Sequence, residues 1–121
     1  MSCKTGARPW SARPAVASFR RIPQALPATD DFDSVTVTVD GAEIVLRRGD
    51  SVAAAVLLSG NDPYRRSVLN GEARAPFCMM GVCFECLVEV DGVPNRQGCL
   101  VEARDGMRIV RQMGLRRIAG F

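Results

Sequence analysis

Four of the five cysteines in this 121-residue chain fall in one pattern, Cys78-x4-Cys83-x2-Cys86-x12-Cys99, and the chain has no histidine. The first three lie within the stretch APFCMMGVCFECLVEV, residues 75–90. Thiolate is the soft, anionic donor that proteins supply to thiophilic metals. The run C-x4-C-x2-C with a fourth cysteine beyond it is the spacing that holds a [2Fe–2S] cluster. Two sulfide-bridged irons need four such donors. The longer step from Cys78 to Cys83 lets the chain wrap one side of a cluster, and the shorter step to Cys86 brings a third sulfur round to the other iron. Cys99 lies beyond the Asp91-Gly92 turn, so the returning hairpin strand can deliver the fourth thiolate.

Gly81 lies inside the wrap, where a missing Cβ lets backbone approach closely and take positive φ. Its neighbouring amides are placed to face the cluster sulfurs, a contact that tunes potential. Two other uses of the thiols compete with this one. Structural zinc favours paired C-x2-C knuckles or cysteines with histidines, whereas the single CxxC here is embedded in a longer run. A thioredoxin-like CxxC calls for a βαβ setting, which does not surround Cys83 and Cys86. Cys3 stands far from the others and is read as a spare.

The flanking sequence must position these thiols. DSVTVTVDGAEIVLRRGD sets Val35, Val37 and Val39 against Thr36 and Thr38, turns on Asp40-Gly41, and resumes with Ile44 and Leu46. Alternation around Asp-Gly predicts a β-hairpin, ended by Gly49. Asp50 is expected to cap a helix over SVAAAVLLSG. Val52, Ala55, Val56 and Ser59 share one face of it, and Gly60 and Asn61 close it. A short strand is expected at residues 67–69, and Pro76 favours an extended Ala75 just before the cysteines. After them come strand, Asp91-Gly92 turn, strand, Asp105-Gly106 turn and strand. This order predicts an α+β domain, a mixed sheet with one helix packed across it.

Composition bounds the rest. A hydrophobic share of 47% and a charged share of 24% describe an ordinary globular chain. No apolar run reaches the roughly 18–20 residues of a membrane span. Lys4, Arg8, Arg13, Arg20 and Arg21 sit in an acid-free start, which leaves 11 basic against 13 acidic residues elsewhere. A nucleic-acid binder would carry its basic excess on the folded domain, so nucleic acid is not an expected partner. Without an export signal the expected location is cytoplasmic, with partners able to hold the protein at the inner membrane. The expected organisation is a basic, disordered tail (1–30), a cluster domain (31–112) and a C-terminal tail (113–121) whose Leu115, Ile118 and Phe121 suit a partner surface.

The residues GDSVAAAVLLSG, RAPFCMMGVCFECLVEVDG and GCLVEARDGMRIV carry a resemblance. Residues 33–111 resemble the [2Fe–2S] small subunit of bacterial FAD-dependent amine and amino-acid dehydrogenase complexes. That group includes D-hydroxyproline dehydrogenase, opine oxidase, hydrogen cyanide synthase and the start of the sarcosine oxidase α chain. The resemblance implies a β-grasp, plant-ferredoxin-like fold with one [2Fe–2S] cluster per chain. It implies that Cys78 and Cys83 hold one iron and Cys86 and Cys99 the other. It also implies an FAD-bearing partner subunit that oxidises an amine, imino acid or amino acid, and hence a hetero-oligomer. Free-standing plant-type ferredoxins space their last two cysteines much further apart and are strongly acidic, which favours a built-in subunit here.

Two rivals remain at this stage, a free-standing soluble ferredoxin and a structural zinc interaction module held by the same four thiols. No catalytic residue is expected: histidine, GxGxxG, P-loop and nucleophile motifs are all missing. Phe77, Met79, Met80, Val82 and Phe84 make the cysteine loop apolar; Phe84 is expected to shield the cluster or fill the core, and at least one of Met79 and Met80 to face a partner. Arg74 and Arg96 are candidate countercharges for the cluster, and Glu85 and Glu89 read as an exposed strand face.

Overall fold

The computed structural model describes residues 33–60 and 63–114. Cys3, Asn61 and both expected tails beyond those bounds lie outside the described residues. Strands β1 (Ser34–Val39) and β2 (Ala42–Arg47) form the first hairpin, with Ser34 opposite Arg47 and Val39 opposite Ala42. Asp40 and Gly41 both take positive φ (51° and 88°), the conformation of the two-residue turn that matches strand twist. Val35, Val37 and Val39 point inward and the threonines outward, as their alternation requires.

Helix α1 (Val52–Leu58) follows, then the short strands β3 (Arg65–Arg66) and β4 (Ala73–Arg74). Strands β5 (Leu87–Val90), β6 (Val93–Gln97) and β7 (Arg108–Arg111) complete the order. The five-stranded sheet has the order β2-β1-β7-β5-β6, so the last strand enters the middle, parallel to β1 and antiparallel to β5. The sheet is therefore mixed, with one helix packed on it, the α+β, ferredoxin-like β-grasp expected from the sequence. Ile109, Val37, Val39 and Val88 of the sheet meet Val52 and Val56 of the helix in a fully buried core. Burying such side chains stabilises the fold by about 1.5–3 kcal/mol each.

Two local expectations are corrected. Ser51, not Asp50, caps the helix: its hydroxyl accepts from Ala54 N at 3.2 Å. The Asp50 carboxylate is already used, closing the turn after β2 by accepting from Arg47 N at 2.9 Å. The strand expected at residues 67–69 forms instead at Arg65–Arg66, paired with Ala73–Arg74. Residues 67–70 make the turn between them, where the Ser67 hydroxyl accepts from Leu69 N in competition with a ladder. At the other end of α1, the buried Arg111 donates to Val56 O and the Ser59 hydroxyl, putting a cation at the helix C-terminus. Asp40 sits 3.6 Å from the same guanidinium. No helix among the described residues is long and apolar enough to cross a membrane.

Candidate metal centre

The segment from Phe77 to Cys86 has no regular secondary structure and folds around its own first thiol. Cys78 Sγ accepts from the amides of Met80 (3.4 Å), Val82 (3.3 Å) and Cys83 (3.4 Å). Aiming three amides at one atom needs unusual backbone. Met79 (φ 55°), Gly81 (φ 89°) and Phe84 (φ 57°) all take the left-handed region. Gly81 has a second reason to lack a side chain, since a Cβ there would meet Leu100 Cδ1 at 2.7 Å. Its carbonyl accepts from Gln97 Nε2 at 2.9 Å, which ties the loop to the end of β6.

These amides, with Met80 and Cys83 foremost, hold the Cys78 thiol down at about 6, against partial desolvation. Cys78 is thereby a thiolate at neutral pH, the form that binds metal. Glu85 N donates to Cys83 Sγ at 3.5 Å. Cys86 is buried at 2% exposure, immediately before β5. Cys99 is half-buried, and burial, then the neighbouring Cys86 thiol, pushes its own thiol up while the Gly81 amide acts in the opposite sense. All four are free thiols.

Helix α1 and the last cysteine position each other. The first helical amides have no partner within the helix. Here Val52 N donates to Val101 O (2.8 Å) and Ala53 N to Gly98 O (2.9 Å), so the segment that carries Cys99 is fastened across the helix start. Gly98 fits between three neighbours: a Cβ would come within 2.6 Å of Tyr64 Oη, 3.1 Å of Cys86 O and 3.2 Å of Ala53 N. Tyr64 is buried, which pushes its hydroxyl up well above the ordinary range and keeps it a donor, to Cys86 O at 3.0 Å. Sequence reasoning missed Tyr64, Gln97 and Gly98. The signals were the chain's one tyrosine and a glycine directly before Cys99.

The donor set fits a binuclear cluster. Four thiols with loop amides directed at sulfur are what a cluster shared between two irons uses. The loop is also open on its outer side. Phe77 (84%), Val82 (71%), Met80 (69%) and Phe84 (59%) are exposed, with Met79 and Leu100 beside them. Phe84 thus does not fill the core: its left-handed backbone turns the side chain outward. Arg74 is turned to Glu72 (3.2 Å), and Arg96 stands on β6 opposite Val88. The guanidinium that engages the cysteine loop is that of Arg65, whose carboxylate partner is Glu85 at 2.9 Å. Glu85 is therefore part of the loop's framework rather than of an exposed strand face.

Residues 33–114 match the 2Fe-2S iron-sulfur cluster binding domain family. The chain belongs to that family. It is a [2Fe–2S] electron-transfer domain. Among its relatives is hydrogen cyanide synthase subunit HcnA of Pseudomonas aeruginosa, 36% identical over 77 residues, 62% of this chain and 71% of that one. HcnA of Pseudomonas protegens is 28% identical over 75 residues, 62% of this chain and 70% of that one. The resemblance to a small subunit thus holds. The fold is shared with L-proline dehydrogenase from P. horikoshii (TM-score 0.58, 21% identity), which it matches over 72% of this chain and 17% of that one.

Proposed function

We propose that this chain is the electron-transfer subunit of a flavin-dependent dehydrogenase or oxidase complex. In that reading Cys78, Cys83, Cys86 and Cys99 are the cluster ligands, and Gly81 permits the loop that wraps them. The observation that carries it is the amide-lined thiol of Cys78 in a loop whose apolar side chains, Phe77, Met79, Met80, Val82 and Phe84, are exposed. When bound, the cluster supplies one-electron acceptance and donation, which a two-electron flavin donor needs in order to discharge stepwise.

The chain's own residues do the rest. The amides of Met80, Val82 and Cys83 hold Cys78 as thiolate and offset negative charge at the sulfur. Helix α1 fastens the Cys99 segment. The exposed apolar side chains of the loop exclude water once a partner covers them, and they are an uncommon surface for a carrier that must stay free in solution. Residues 31–112 form the cluster domain, in the cytoplasm, and bind an FAD-bearing subunit whose substrate is an amine, imino acid or amino acid. Relatives named as subunits of hydrogen cyanide synthase and a fold shared with a proline dehydrogenase support that partner class.

The test is capture of the tagged chain from its native host under anaerobic conditions. An FAD-bearing subunit should co-elute, and its amine or amino-acid substrate should bring up the reduced cluster signal. A chain that elutes alone, with no flavin at any salt concentration, contradicts the subunit reading and favours the free-standing ferredoxin.

A further inference from the structure

Two consecutive residues before the cysteine loop hold two consecutive peptides inside it. Tyr64 Oη donates to Cys86 O at 3.0 Å, and Arg65 Nε donates to Glu85 O at 2.9 Å. Arg65 Nη2 also donates to Glu85 Oε2 at 2.9 Å, so the guanidinium grips both the backbone and the side chain of Glu85. The Glu85 amide in turn faces Cys83 Sγ. Cys86 O receives a second donor, Gly98 N at 2.9 Å, one residue before Cys99. The Tyr64-Arg65 dipeptide thus bonds Cys86 directly, and through one intermediate each it reaches Cys83 and the Cys99 segment. The β3–β4 ladder, Arg65 opposite Arg74, ties the same dipeptide to the strand that leads into Cys78.

We infer that Tyr64 and Arg65 are positioning residues that bracket the Glu85-Cys86 end of the cysteine loop and hold the thiols in place for the cluster. The inference rests on the reading of the four cysteines as ligands. Both side chains suit the task. Tyr64 is 4% exposed, so its ring is locked by packing before its hydroxyl donates. Arg65 is only 16% exposed and presents a planar fork that a lysine lacks. Neither bond needs a bound cluster, so the bracket shapes the loop before loading. Outer contacts of this kind hold ligands in register, and losing one weakens metal binding by about 10–100-fold.

The experiment compares Tyr64→Phe, Arg65→Lys and Cys86→Ser with the wild-type holoprotein. The readouts are iron loss to a chelator, the spin-resonance spectrum after reduction, and thermal unfolding of the apoprotein. Tyr64→Phe keeps the buried ring, and Arg65→Lys keeps the charge while removing the fork. Both variants should lose iron about tenfold or more faster and show a shifted spectrum, with apoprotein melting little changed. A purely structural role would move the melting temperature and leave the spectrum alone, which overturns the inference. Wild-type iron loss and spectrum in both variants, with Cys86→Ser impaired, overturns the bracket but leaves the ligands standing. Unchanged iron content and spectrum in Cys86→Ser overturns the ligand reading itself, and the bracket with it.

Discussion

The two arms of the cysteine loop are built on opposite principles. The outer arm, Cys78 to Cys83, is exposed, apolar and held by its own backbone, with three amides on one sulfur. The inner arm, Cys86 and Cys99, is held by the domain: Cys86 belongs to the hydrophobic core, and the Cys99 segment is fastened to the start of helix α1. On the proposed ligand assignment, one arm can face a partner while the other would carry the cluster's geometry into the fold. The difference separates two properties of the site. Charge at the Cys78 sulfur is set locally, by amides of its own loop, and the positions of the Cys86 and Cys99 thiols are set by the rest of the fold.

Serine substitutions probe that contrast most strongly. Each of Cys78→Ser, Cys83→Ser, Cys86→Ser and Cys99→Ser should reduce or abolish cluster content, measured as iron and acid-labile sulfide, while Cys3→Ser should not. In the apoprotein the arms should part company. Cys86→Ser places a hydroxyl in the core and should lower stability by about 1–3 kcal/mol, whereas Cys78→Ser should leave denaturant unfolding close to wild type. Equal destabilisation by the two would erase the distinction between arms.

Gly81→Ala comes next. The residue would be strained at φ 89° and crowd Leu100 Cδ1. Left-handed strain costs roughly 1–3 kcal/mol, and here it should appear as faster cluster loss. Adding Leu100→Ala relieves the crowding but not the strain, so rescue should be partial, as read by the rate of absorbance decay under chelator. Complete rescue would assign Gly81 to packing alone.

A smaller effect is expected from Met79→Asp with Met80→Asp. Flavoprotein association should weaken about tenfold, roughly 1.4 kcal/mol, with cluster content retained. Unchanged association in a titration calorimeter would move the docking face elsewhere on the domain.

Much of this was legible in the sequence because it rests on local rules. The Val/Thr alternation and the Asp-Gly turns each act over a few residues and appear where expected, and the cluster type that the four-cysteine spacing suggested is that of the matched family. What was not legible depends on contacts distant in the chain. Asp50 looks like a better cap than Ser51 until its carboxylate is seen on Arg47 N. Tyr64 and Arg65 gain their role only when the fold brings them to Cys86 and Glu85, about twenty residues on. Of the two places expected for Phe84, shielding the cluster or filling the core, the core is excluded, because its left-handed backbone leaves the side chain exposed.

The subtlest difference between the arms is their pH response. In the apoprotein, alkylation of Cys78 should rise through pH about 6 and then level off, because its thiol is held below the ordinary range and is already ionised at neutrality. Cys99 is shifted the opposite way, so its alkylation should begin only above the ordinary thiol range. Peptide mass spectrometry after brief iodoacetamide pulses reads both, and coincident profiles would remove the electrostatic contrast.

The most direct test of the centre is iron, zinc and acid-labile sulfide per chain in anaerobically purified protein, with a spin-resonance spectrum after reduction. Two irons and two sulfides with a reduced [2Fe–2S] signal are expected of a 2Fe-2S cluster binding domain, and that signal should vanish or change in each of the four serine variants. Zinc without sulfide, or an unaltered signal in two or more of those variants, would contradict the assignment of Cys78, Cys83, Cys86 and Cys99 as the cluster's ligands.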